Sequence, residues 1–238
     1  MNQSNSLSVQ LKRREAIAGW IYLPFYLFLL SAILSVICVA MGYDVLDMTF
    51  QADLNLIFGL VNFVIVCIIF HRFLILNLSN VVRRFWGYIQ AVILGFVLYW
   101  VGTTAISLLV TWLNPDMINH NNETVEMLAG SNYRAMLLYT VALAPIIEDS
   151  LFRGLIFSSL HRTSRVAAYT VSALAFAALH VAGFIGTAPW LDLLLSLLQY
   201  LPAGIAMGWA YERADSIWAP IAIHVIVNAI AMLTLQLL

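Results

Sequence analysis

The sequence predicts an all-α fold, a polytopic transmembrane helical bundle of about seven spans with room for a short eighth element. Three observations carry that expectation. First, 63% of the 238 residues are hydrophobic and only 10% are charged, where ordinary globular chains are about 25% charged; the mean hydropathy is +0.92. Second, apolar stretches long enough to cross about 30 Å of hydrocarbon recur seven times. Third, bases and acids alternate between successive connections, as they do when loops face opposite sides of a membrane. A formal net charge of −1 and the absence of a basic face give no footing for nucleic acid. Cys38 and Cys67 fall inside apolar runs and read as small buried hydrophobes, with neither a disulfide framework nor a CxxC motif.

The polar start, Met1 to Glu15, precedes an apolar run too long for a signal-peptide core and is read as leading into a retained first span. The spans fall near Ile17–Met41, Leu54–Leu76, Tyr88–Leu113, Ala135–Ser158, Val166–Ile185, Leu191–Tyr211 and Ile217–Leu238. Asn55, Asn62 and His71 in the second, and Pro202 in the sixth, mark places where a helix could break. Lys12, Arg13 and Arg14 precede the first span; Arg72, Arg83 and Arg84 flank the second connection, Arg162 and Arg165 the fourth, and Arg213 the sixth. The alternate connections hold Asp44, Asp47, Asp53, Asp116, Glu123 and Glu126, with Arg134 their one base. A cytoplasmic N-terminus follows from the positive-inside rule, and with seven spans an external C-terminus. The longest connection, Asn114 to Tyr133, is polar and expected outside; its Asn122-Glu-Thr124 is a formal glycosylation acceptor. No repeat or second domain is evident. The chain is expected to form one membrane domain over 1–238, with three spans in 1–134 and a functional core of four in 135–238.

That core carries the polar groups. Pro145-Ile-Ile-Glu148-Asp149-Ser-Leu-Phe-Arg153-Gly154 sets two carboxylates and an arginine in an apolar run. Ionisable groups at membrane depth are costly and mark functional sites. On a helix Asp149 and Arg153 pair at i,i+4, while Glu148 is turned about 100° away and finds no partner in its own segment. The plain structural alternative is an ion pair locking two helices. His180 ends Phe176-Ala-Ala-Leu-His180 in the fifth span, and His224-Val-Ile-Val-Asn228 puts two polar groups on one face of the seventh. In an antiparallel hairpin, residues at one depth have a constant index sum. Glu148 and His180 centre on residue 164, inside the polar turn His161–Arg165, so they are expected at similar depth. A carboxylate beside an imidazole can act as general base for water, and His224 and Asn228 can donate to a developing oxyanion.

Glu-Asp-x-x-x-Arg, Phe-x-x-x-His and His-x-x-x-Asn, in this order on separate spans, resemble the motifs of the CPBP intramembrane proteases. That family groups type II CAAX prenyl endopeptidases with bacteriocin-processing and self-immunity proteins. The resemblance covers about Tyr139 to Ala231; Ala144-Pro145, Phe152-Arg153-Gly154 and Trp218 agree with it. It implies an intramembrane endopeptidase in which Glu148 and His180 activate water, His224 and Asn228 hold the oxyanion, and Arg153 organises the first motif. It also implies a peptide or protein substrate in or near the bilayer and a multi-pass protein, expected in a bacterial plasma membrane. One residue departs from the family pattern: the second acid is usually Glu and here is Asp149. The family is often labelled metalloprotease, and Glu148, His180 and His224 would be the ligands of a zinc ion; a metal-free mechanism is the expectation carried forward. Two readings from other classes stay open, a non-catalytic immunity or scaffold protein and a proton-coupled transporter.

Overall fold

A computed structural model describes residues 7–237; Met1 to Ser6 of the polar start, and Leu238 at the end of the seventh span, lie outside the described residues. Among the described residues the chain is all helix and connection, in eight helical elements: α1 (Arg13–Ala40), α2 (Met48–Arg83), α3 (Phe85–Leu113), α4 (His120–Ser131), α5 (Tyr133–His161), α6 (Arg165–Ala182), α7 (Trp190–Ala214) and α8 (Trp218–Leu237). All but α4 are long and apolar enough to span a bilayer, so the chain is an integral, multi-pass membrane protein. The short α4 occupies the polar connection between the third and fourth spans. Asn119 caps it, accepting from Asn122 N at 3.2 Å.

Neither suspected break occurs. In α2, Asn62 returns its amide to Phe58 O at 2.7 Å and accepts from Tyr22 OH, so the polar side chain is satisfied without opening the helix. Helix α2 also runs past Leu76, to Arg83. Pro202 sits inside a continuous α7, packed against Gly102 of α3, where a Cβ would lie 2.9 Å from the proline ring. Helix α7 is the centre of the core half, flanked by α3, α6 and α8. It crosses α6 so closely at Gly204 that a Cβ there would meet Ala173 Cα at 2.6 Å.

Two helices are interrupted by π-helical turns. In α1 one covers Phe25–Leu29, directly after Pro24; in α5 they cover Leu138–Leu143 and Ser150–Phe157. Pro145 follows the first α5 turn by two residues. Its ring lacks an N–H and would press on the carbonyl four residues back, and a widened turn next to it relieves both problems. Pro145 therefore lies within α5 rather than starting it.

The end of the bundle that carries the arginines is tied by polar side chains. Glu212 receives Tyr169 OH at 2.6 Å, Arg165 Nη2 at 2.9 Å and His161 Nε2 at 3.0 Å, joining the ends of α5, α6 and α7. Asn77 and Asn80 of α2 hold the α7–α8 turn through Ile217 N at 3.0 Å and Asp215 O at 2.8 Å. Asp215 adopts a left-handed φ of 52° as the C-cap of α7 and accepts from Ser8 N at 2.8 Å. Leu7 and Leu11, buried in the same region, fasten the segment before α1 across this end.

Candidate active site

Helix α5 delivers the acids. Between the two π turns, Ala144–Asp149 is largely buried: Ile147, Glu148 and Asp149 are buried, as is Arg153 one turn later, Asp149 and Arg153 completely. Asp149 Oδ1 stands 3.0 Å from Arg153 Nη1, one turn later. The guanidinium carbon also lies over the Phe176 ring of α6, 4.1 Å from its centroid, a cation–π contact strengthened by burial. Ser172 donates to Phe152 O at 2.8 Å and fixes α6 against the same stretch of α5.

Helix α8 brings His224, also buried, to the other oxygen of Asp149: Nδ1 donates to Oδ2 at 3.1 Å. An ionised carboxylate only accepts, so Nδ1 carries the proton and Nε2 is turned toward Glu148, 3.9 Å from Oε2. Arg153, Asp149, His224 and Glu148 thus form one chain of alternating charge and imidazole across α5 and α8. Glu148 Oε2 is buried and accepts no hydrogen bond from the protein.

His180 ends the last turn of α6. Its Nδ1 donates to Phe176 O at 2.9 Å, which leaves Nε2 as the free nitrogen. Its ring is tilted on Phe176 at 4.7 Å and stacked on Tyr200 of α7 at 4.2 Å. His180 and Glu148 do not come within ion-pair distance of one another; the imidazole within 4.0 Å of Glu148 belongs to His224. Asn228, one turn beyond His224, donates Nδ2 to Thr140 O at 2.8 Å, inside the first π turn of α5. One amide hydrogen of Asn228 is therefore engaged with backbone.

Zinc would need Glu148, His180 and His224 to converge on one point. Among the described residues no group of three or more His, Cys, Asp and Glu side chains is so arranged. This donor set, as placed, does not fit a metal.

Fold and site together define a multi-pass membrane protein with a buried centre of acids, imidazoles and an amide. Residues 130–230, somewhat less than half of the chain, match the family described as type II CAAX prenyl endopeptidase Rce1-like. Glu148, Asp149, Arg153, His180, His224 and Asn228 all fall within that stretch. A putative membrane peptidase, YdiL of Bacillus subtilis (strain 168), is 27% identical over 99 residues, 41% of this chain and 36% of that protein. The match thus spans about a third of the relative's length. No solved structure matches the chain.

Proposed function

We propose that this protein is an intramembrane endopeptidase that hydrolyses a peptide bond of a membrane-associated peptide or protein, with Glu148 as the base that activates water. The observation that supports it most directly is the Glu148 carboxylate. It is buried, its Oε2 is free of hydrogen bonds from the protein, and it faces an imidazole that Asp149 holds by the opposite nitrogen. A water at ordinary hydrogen-bond distance from both Glu148 Oε2 and His224 Nε2, about 2.8 Å, fits a 3.9 Å separation with an angle of about 90° at its oxygen.

In the reaction the water oxygen bonds to the scissile carbonyl carbon and its proton passes to Glu148. The C=O π electrons move to oxygen. That oxyanion is met by the free amide hydrogen of Asn228 and, when His224 is protonated on both nitrogens, by Nε2–H. Collapse re-forms the carbonyl and breaks the C–N bond, while Glu148 returns the proton to the leaving amine. Asp149 and Arg153 touch no reacting atom: Asp149 fixes the orientation of His224 and Arg153 balances the Asp149 charge. His180, with Nε2 free, is the second acceptor for water or for a substrate N–H. The matched family's description points to prenylated CAAX proteins as substrate; processing of a bacteriocin or other small peptide, or self-immunity, belongs to the same chemistry.

The test uses the full chain in proteoliposomes with two internally quenched peptides, one ending in a farnesylated CAAX motif and one carrying an unprenylated membrane anchor. The wild type is expected to cleave one of them. Glu148→Gln, which cannot take a proton from water, is expected to lose about 10²- to 10⁴-fold in kcat with an unchanged melting profile in detergent. A folded Glu148→Gln protein with wild-type turnover sinks the assignment.

A further inference from the structure

We propose that Tyr200 is the positioning residue for His180, set in place by the asparagines at the start of α4. This rests on the reading of His180 as part of the hydrolytic centre. The geometry is a run of ring contacts: the Arg153 guanidinium over Phe176 at 4.1 Å, Phe176 tilted against His180 at 4.7 Å with 56° between the planes, and His180 stacked on Tyr200 at 4.2 Å with 25° between the planes. Phe176 and His180 share a helix, so their contact follows from i,i+4 spacing. Tyr200 comes from another helix, α7, and its stacking on the His180 ring closes this run of contacts.

The need for that closure is local. His180 lies two residues from the end of α6, where the backbone passes into the turns that lead to α7. Its Nδ1 bond to Phe176 O fixes one edge of the ring and still allows the ring to swing about that bond. A flat face 4.2 Å away removes the swing and aims Nε2.

Tyr200 is in turn held at both ends. Its Cα is part of α7, and its hydroxyl accepts from Asn121 Nδ2 at 3.0 Å. The single hydroxyl proton is shared between Asn122 Oδ1 at 3.0 Å and Asn119 Oδ1 at 3.2 Å. Asn119 also donates to Gln199 Oε1 at 2.8 Å. Three asparagines within four positions thus converge on one phenol oxygen, far more polar engagement than is needed to seat a short helix. Helix α4 anchors its other end on apolar contacts, Leu128 and Ala129 packing with Ala52, Met136 and Met232. The connection read from sequence as a loop therefore reaches the candidate centre through one aromatic ring.

The experiment compares Tyr200→Leu, Tyr200→Phe, Asn121→Ala and His180→Ala in the full chain, with the quenched peptide that the wild type cleaves. Tyr200→Leu, which removes the face, is expected to lower kcat about 10- to 100-fold, as misplacement of a reacting group does, with KM held within about twofold. Tyr200→Phe keeps the face but gives up the hydroxyl held by the asparagines, and is expected to fall between wild type and Tyr200→Leu, as is Asn121→Ala. A second readout needs no substrate: carbethoxylation of His180 by diethyl pyrocarbonate, followed by peptide mass spectrometry, is expected to quicken most in Tyr200→Leu and to a smaller extent in Tyr200→Phe. If Tyr200→Leu does not fold, Asn121→Ala takes its place and is expected to quicken carbethoxylation and lower kcat. A folded Tyr200→Leu (or Asn121→Ala in its stead) with wild-type kcat and wild-type labelling overturns the proposal. So does a Tyr200→Phe protein as impaired as Tyr200→Leu. Full activity in His180→Ala overturns the hydrolytic role of His180 itself, whatever Tyr200 does.

Discussion

Asp149 is the residue on which the two readings of the buried charges part. It has no exposed surface and two partners, Arg153 at 3.0 Å and His224 at 3.1 Å. Removing one member of a buried pair leaves the other charge uncompensated, so Asp149→Ala is expected to cost about 3–5 kcal/mol of stability. The double variant Asp149→Leu/Arg153→Met replaces the pair with apolar groups of similar bulk and is expected to regain most of that loss, since such replacements are often neutral or better. If the pair is only a helix lock, the double variant keeps its activity. If Asp149 orients His224, stability returns and turnover does not, as thermal unfolding beside peptide cleavage will tell. Asp149→Glu keeps the charge on a longer side chain. The carboxylate can still reach both partners, but one more methylene in this packed spot is expected to cost about 1–3 kcal/mol while activity persists.

At the scale of the element, the π turns of α5 decide which way the acids face. A shared index sum puts Glu148 and His180 at one depth, but depth is not azimuth. The π turn at Ser150–Phe157 lies between Glu148 and the hairpin turn, and such a turn inserts an extra residue and rotates everything beyond it. Glu148 accordingly stands beside His224. The seven spans were legible because run length against bilayer thickness is a coarse and forgiving criterion. The Asp149–Arg153 contact was legible because i,i+4 spacing alone produces it. The π turns were not, since Pro145 is compatible with a start, a kink or a widened turn. Nor was α4, whose apolar anchor amounts to little more than Leu128 and Ala129 in a polar, Asn-rich stretch. The stack of Tyr200 on His180 joins two helices, and no spacing in one chain segment encodes it. Asn228 joins α8 to the first π turn through Thr140 O. As a helix tie alone, Asn228→Ala is expected to cost about 1 kcal/mol and leave chemistry intact. As an oxyanion donor it is expected to lower turnover about 10²- to 10³-fold. Single-turnover cleavage of a bound peptide, set against melting in detergent, separates the two, and a destabilised but fast Asn228→Ala protein rules the donor role out.

The described residues form a bundle with two unlike ends, and their difference carries an expectation of how it lies in a membrane. Helix α5 runs from Tyr133 to His161, 29 residues or about 43 Å, so α4 and the His161–Arg165 turn stand at opposite ends of the bundle. Around the turn gather Arg72, Arg84, Arg162 and Arg165, several of them engaged with Glu15, Asp215 and Glu212. Around α4 lie Asp116, Glu123, Glu126 and Asp192. Pairing does not erase the asymmetry, because orientation follows the count of Lys and Arg near the span ends while acids contribute little. The arginine end is therefore expected to face the cytoplasm. Cys38 and Cys67 are first replaced by alanine, and single cysteines are then placed at Thr163 and Asp116. Both positions are exposed, at opposite ends and away from the asparagine clamp on Tyr200. With a membrane-impermeant thiol reagent on intact cells, Asp116→Cys is expected to label directly and Thr163→Cys only after permeabilisation. The reverse pattern would put α4, the asparagine clamp and the His180 end of the site on the cytoplasmic side.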